Sequence, residues 1–261
     1  MNQITQAETL DSDWTSLYRV GGVAALMAGI IFRRNLGVEI SLFSPQKQPD
    51  TIIDWFALLQ NNRILGLAYL NIFDLVNYTL AGLMFIALYA ALKRANKSIM
   101  AIATALGFLG IAVYFASNTA LSMLSLSDQY AVATTDAQKT LLLAAGQALL
   151  AINRFSSPGA HPGAGGYMSL LLIAAAGMIT SIAMLRSAVF SRATAYVGTL
   201  ASALDLAYCI AFACVPAAGS GLLAVLFIPA AGLLLMIWHI LIGLRLYQLG
   251  RLEGKALPKQ L

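Results

Sequence analysis

The apolar stretch Ile64–Leu92 constrains the fold of this chain most. Asp74 is its only charged residue, and the stretch is long enough to cross a bilayer as one helix. On a helix, Asn71, Asp74, Asn77 and Tyr78 fall within about a third of the circumference. A polar stripe inside hydrocarbon must face protein or water. The stretch therefore predicts a membrane helix whose polar side lines the interior of a bundle.

The composition excludes a soluble domain. Of the 261 residues, 59% are hydrophobic and only 10% are charged, whereas soluble domains carry roughly 25% charged residues. The net charge is +5, but the basic residues lie mainly in short loops and at the C-terminus, where the positive-inside rule explains them. The sequence therefore predicts an integral membrane protein and gives no support for nucleic-acid binding.

The apolar runs predict an all-α membrane bundle of six transmembrane helices with short interfacial helices. A polar tail (1–16) precedes the membrane domain (17–248), and a basic tail (249–261) follows it. The expected spans are 17–32, 64–92, 99–126, 167–185, 193–215 and 222–247. The expected interfacial helices lie near 51–62 and 139–153.

The end of the first span has two interpretations, because the Arg33–Arg34 pair follows it directly. We favour a helix that ends at Phe32 and leaves the arginines at the headgroups. In the alternative, the helix continues to about Phe43 and places the arginines in the membrane, where Asp74 could pair with them.

The two interfacial helices are predicted from different features. Ile52, Phe56 and Leu59 share one face of the 51–62 segment, and Trp55 suits the headgroup region. The apolar part of 139–153 is too short to cross the hydrocarbon, so we expect a surface or re-entrant helix there. Making it a seventh span would worsen the charge distribution.

The loop charges predict that both termini are cytoplasmic. With six spans, ten of the sixteen Lys and Arg residues lie on the inner side and six on the outer side. The turn containing Lys93, Arg94 and Lys97 is the clearest cytoplasmic marker.

Three segments resemble a broad family of bacterial multi-pass membrane proteins that is catalogued only as a domain of unknown function. They are YRVGGVAALMAGIIF near the start, MLRSAVFSRATAYVGTL (184–200) and IWHILIGLRLYQLG near the end. The resemblance implies a six-span helical protein of the bacterial inner membrane. It brings no assigned catalytic residues with it.

Asp74 and Asp205 are the strongest candidates for a functional site, because each lies within a span and must be paired, protonated or in contact with water. Ser202 and Cys209 share a small-residue face with Asp205. The alternative is that each carboxyl group only holds neighbouring helices together. The predicted ligand-binding or proton site comprises Asp74, Asp205, Asn71, Asn77, Asn118 and His239.

The chain contains no recognisable catalytic or cofactor motif, so catalytic residues stay unassigned and no metal or cofactor is predicted. Two histidines without metal-ligand spacing do not make a zinc site. No GxSxG elbow is present, and the lone intramembrane histidine does not suggest a haem.

The best prediction of function is binding or transport of a small polar molecule, a cation or a lipid headgroup through a polar intramembrane cavity. The alternatives are a membrane-embedded enzyme acting on lipid, with Asp74 or His239 as acid or base, and a non-catalytic scaffold or accessory subunit. The expected partners are membrane lipids and a small polar ligand. A homo-oligomer is left open.

Overall fold

The computed structural model describes residues 14–41, 49–152, 163–214 and 222–256, and these ranges contain helices and no strand. The prediction of an all-α bundle is therefore confirmed. The helices of these ranges are α1 (Thr15–Ser41), α2 (Ile52–Asn61), α3 (Arg63–Tyr69), α4 (Ile72–Leu92), α5 (Lys97–Ser117), α6 (Ala120–Val132), α7 (Asp136–Ile152), α8 (Ala164–Leu185), α9 (Arg192–Cys214) and α10 (Leu222–Ala256).

Six helices form the membrane bundle. Five segments are long and apolar enough to span: α4, α5 with its continuation α6, α8, α9 and the Pro229–Arg251 part of α10. The apolar part of α1, Thr15–Ile30, is shorter, but α1 packs along both α4 and α10. The protein is therefore membrane-embedded, and the number of its long helices is roughly consistent with the six predicted spans.

Small residues bring α1 and α10 into backbone contact. A Cβ added at Gly22 would lie 2.7 Å from the backbone nitrogen of Tyr247, and one at Gly243 would lie 2.8 Å from the Gly22 carbonyl oxygen. Where the pair ends, the Arg19 Nε donates a hydrogen bond to the Gly250 carbonyl at 2.8 Å. This antiparallel pair holds the two ends of the described chain at one end of the bundle.

The same end carries the short basic turns. Arg245 of α10 donates through its Nε to the carbonyl of Val189, in the turn between α8 and α9, at 2.6 Å. Large side chains from the surrounding helices fill the core there; they include Tyr18, Met84, Leu88, Met100, Met184, Trp238 and Ile242. We call this the basic end.

At the opposite end, α2, α3, α6 and α7 form a separate unit, the cap, around its own apolar core. Trp55, Phe56 and Leu59 of α2 are buried there against Met123 of α6. Phe56 and Leu59 of the predicted apolar face are 1% and 0% exposed, so this face packs on protein. That the 51–62 helix lies at the membrane interface stays a prediction.

Polar contacts also join the cap helices. The Ser127 hydroxyl donates to the Phe56 carbonyl at 3.0 Å, and Arg63 forms an ion pair with Asp128 at 2.8 Å. The α7 helix packs on α2 through Gly146, where an added Cβ would lie 2.7 Å from a side-chain carbon of Ile52. The depth of α7 relative to the bilayer stays a prediction.

Two of the predicted continuous spans are interrupted. The segment Ile64–Leu92 is two helices, because α3 ends at Tyr69 and α4 begins at Ile72. Asn71 lies between them with φ 61°, and no other non-glycine residue of the described chain has a positive φ. The 99–126 segment is likewise interrupted at residues 118–119 and continues as α6. The prediction of unbroken helices is wrong at both places.

The prediction that the first helix ends at Phe32 is also wrong, because α1 continues through the Arg33–Arg34 pair to Ser41. No proline or glycine directly follows Phe32, and arginine and leucine are good helix formers. How deep the arginines lie in a bilayer stays a prediction.

Candidate functional site

The two helix interruptions meet at one place. The side-chain amide of Asn118, between α5 and α6, donates to the backbone carbonyl of Asn71, between α3 and α4, at 3.3 Å. The Oδ1 of Asn118 also accepts from the backbone N–H of Ala120 at 3.1 Å and so caps the start of α6. Asparagine suits both positions. At residue 71 it tolerates the left-handed conformation, and at residue 118 its side chain replaces a missing backbone partner.

Asp74 lies in the first turn of α4, beside these interruptions, and not near the middle of a long helix as the sequence suggested. Its backbone N–H bonds the Asn71 carbonyl at 3.2 Å. The Tyr114 hydroxyl of α5 donates to its Oδ2 at 3.1 Å. A carboxylate at a helix N-terminus also benefits from the helix dipole. Asp74 is therefore held by two spans.

Tyr78 extends this polar group toward the rest of the bundle. Its ring stacks on that of Tyr114, with centroids 4.1 Å apart. Ser169 of α8 lies beside the Tyr78 hydroxyl, and both Asp74 and Asp205 lie within electrostatic range of it. Tyr78 thus connects the surroundings of the two carboxyl groups.

Asp205 occupies a different environment on α9. It is 9% exposed, and Ser202 and Cys209 lie one turn away on either side. Within the described ranges its carboxylate makes no hydrogen bond and no ion pair. Placing an ionised Asp near the centre of a membrane helix costs about 2.5–3.5 kcal/mol on insertion scales, so this carboxyl group requires neutralisation.

The other two predicted site residues are buried. Asn77 is 5% exposed, and its Oδ1 has no hydrogen-bond partner in the part of the chain that the structure describes. His239 is 4% exposed, and its Nδ1 lies 2.7 Å from the Leu235 carbonyl one turn earlier. Its Cβ faces α1, where an added Cβ at Gly29 would lie 3.4 Å away.

Of the six predicted residues, Asn71, Asp74 and Asn118 come together at the interruptions. Asp205 is connected to them through Tyr78, whereas His239 lies on the side of α10 that faces α1. That all six line a single cavity stays a prediction. Tyr114 was missed as a site residue, although it lies four residues before Asn118 and so shares its helix face.

In residues 14–41, 49–152, 163–214 and 222–256, no three His, Cys, Asp or Glu side chains come together as metal ligands would. The donors at the interruptions are one carboxylate, amide groups, phenol hydroxyls and helix-terminal backbone groups. These suit a small polar molecule, a monovalent cation or a proton.

The fold and this site define a class: a multi-pass helical membrane protein with two discontinuous helices. A family-wide sequence comparison matches residues 16–243 to a domain of unknown function, DUF4386. Because the match covers most of the chain, the protein belongs to the DUF4386 family. Comparisons with curated proteins and with solved structures gave no match.

The backbone at Asn71 gives a testable prediction. Alanine at φ 61° is strained by roughly 1–2 kcal/mol, whereas glycine is not. Both substitutions remove the side-chain amide. They differ in Cβ, which is strained at this φ, and in the unfolded-chain entropy of glycine, which favours alanine. We expect Asn71→Ala to unfold at a lower temperature than Asn71→Gly in detergent. Equal melting temperatures, or a more stable alanine variant, would show that α3 and α4 are not separated by a left-handed residue.

Proposed function

We propose that this protein binds a small polar ligand where its two discontinuous helices meet and carries it across the membrane. The observation that supports the proposal is the pairing of the interruptions through Asn118 and Asn71, beside the Asp74–Tyr114 hydrogen bond. A continuous pair of helices would satisfy its backbone more simply, so a break inside an apolar bundle calls for a reason. Many transporters bind substrates and ions at such broken helices.

The helix ends explain which ligands fit. The α3 and α5 helices end here with carbonyl groups, and α4 and α6 begin here with N–H groups. These opposed partial charges, together with the Asp74 carboxylate, can orient a small molecule that has both donors and acceptors. The ligand classes consistent with this set are a small polar molecule, a cation and a lipid headgroup.

The enzyme and scaffold alternatives lead to different outcomes. An enzyme acting on lipid would release a headgroup product from vesicles, and replacing Asp74 or His239 would slow that release. A scaffold would require neither ligand nor turnover, and its polar residues would affect only stability. No contact among the described residues favours either alternative over binding.

Ligand binding can be tested with purified protein in detergent. We expect at least one compound from a panel of free amino acids, polyols, monovalent cations and phosphatidylethanolamine to raise the melting temperature of the wild type. Asp74→Asn should abolish that increase, because the amide removes the charge and alters the bond from Tyr114. Asp128→Asn is the matched control, since its carboxylate lies in the cap and pairs with Arg63.

Uptake of the stabilising compound into proteoliposomes then separates transport from binding alone. If the compound raises the melting temperature of Asp74→Asn as much as that of the wild type, a ligand site at the interruptions is contradicted. The absence of any stabilising compound would contradict the proposal as a whole.

We further propose that the protein lies in a bacterial inner membrane with the basic end in the cytoplasm. The turn with Lys93, Arg94 and Lys97 and the turn between Arg186 and Arg192 support this orientation. Single cysteines can test it in a variant without Cys209 and Cys214. Lys97→Cys should react only after the cell membrane is permeabilised to a polar maleimide, whereas Lys139→Cys should react in intact spheroplasts. The reverse pattern would contradict the orientation.

A further inference from the structure

We propose that Asp205 is a proton-binding site separate from the ligand site at Asp74, and that it holds its proton at neutral pH while the bundle is closed. Proton binding itself does not depend on the proposed ligand. A role for this proton in driving transport rests on the proposed function.

The burial and isolation of Asp205 support this inference. The side chain is nine-tenths buried on α9 and lacks a hydrogen bond or ion pair to any described residue. The Ser202 hydroxyl, one turn away, is also buried and has no partner in the same ranges. An isolated ionised carboxylate in such surroundings would be far less stable than a neutral carboxylic acid.

The helices packed on α9 offer no cationic partner. They are α8 and α10, and α8 has no Asp, Glu, Lys, Arg or His. On α10 the nearest titratable residue is His239. Gly198 of α9 lies beside Trp238, so antiparallel counting puts His239 roughly 12 Å along the axis from the level of Asp205.

Within the described ranges, the remaining titratable groups near Asp205 are neutral or distant. Cys209 and Tyr208 on α9 and Tyr78 on α4 are neutral at pH 7 in their ordinary state. Arg192 lies thirteen residues away on the same helix, which is roughly 20 Å. None of these groups supplies the positive charge that an ionised Asp205 would need.

A proton fits these surroundings better than a metal cation does. A metal cation such as Ca²⁺ or Mg²⁺ requires several oxygen ligands around it. Asp205 has one carboxyl group, with a single hydroxyl one turn away. A proton needs only one carboxyl oxygen. The step is simple: the carboxylate takes up a proton when water reaches it, and releases it to water when the helices reopen.

Tyr78 gives this proton site a connection to the ligand site. Its hydroxyl lies within electrostatic range of both carboxyl groups and beside Ser169. Tyr78 is therefore the residue through which the charge of Asp205 would act on the surroundings of Asp74.

Infrared spectroscopy of the protein in nanodiscs tests the inference. We expect a carbonyl stretching band of a protonated carboxylic acid at pH 7, with the intensity of one group. The band should vanish in Asp205→Asn and persist in Asp74→Asn and in the cap control Asp128→Asn. Asp205→Asn resembles the protonated acid in shape and charge, so it should fold. If it does not, Asp205→Glu should retain a shifted band.

Three results would overturn the proposal: no such band in the wild type, a band unchanged in Asp205→Asn, or a band removed by sodium but not by potassium at constant pH. The last would indicate a metal-cation site. The coupling is tested separately by adding the compound that stabilises the wild type. If this compound leaves the frequency and intensity of the band unchanged, the coupling between Asp205 and the ligand site is refuted, but proton binding at Asp205 is not. Loss of ligand binding alone would refute only the proposed function.

Discussion

The structure depends on how the backbone is satisfied where two membrane helices are interrupted. A helix end that is shielded from water leaves N–H and C=O groups that need another hydrogen-bond partner. Here each interruption supplies a partner for the other, because Asn118 bonds the carbonyl of Asn71 and caps α6. Asp74 and Tyr114 add a second bond between the same two spans. The same polar contacts therefore satisfy the broken helices and form the candidate site.

The interruptions also explain the cap. The α5–α6 segment has 36 residues, or about 54 Å of helix, against a hydrocarbon thickness of about 30 Å. The α6 part therefore extends beyond the bilayer core, where it packs with α2, α3 and α7 around Phe56 and Met123. This apolar core is separate from the one at the basic end, although Ile72 of α4 also packs against it.

The sequence predicted the membrane class and the number of spans because long apolar runs have few alternatives in a bilayer. It also drew attention to Asn71, Asp74 and Asn118, which the structure brings together, because polar residues within such runs are conspicuous. It did not predict the interruptions, since neither a glycine nor a proline marks residues 71 or 118. The broken conformations are supported by tertiary bonds, from Asn118 to Asn71 and from Tyr114 to Asp74, which a sequence pattern does not show. The role of Tyr114 was hidden for the same reason.

The packing of the cap could not be predicted for a different reason. The apolar face of α2 was correctly recognised, but periodicity alone cannot distinguish a face that lies on lipid from one that packs on α6 and α7. The same ambiguity affected α1, where arginines at a headgroup and arginines within a continuing helix give the same sequence pattern.

Residue-resolved hydrogen exchange in nanodiscs tests most directly whether the two spans are interrupted near residues 71 and 118. If they are, the amides of Ile72 and Leu121, which lie in the first turns of α4 and α6, should exchange much faster than that of Leu88 in the buried part of α4. Uniformly slow exchange from Ile64 to Leu92 and from Ile99 to Leu126 would mean two continuous helices and would contradict the account.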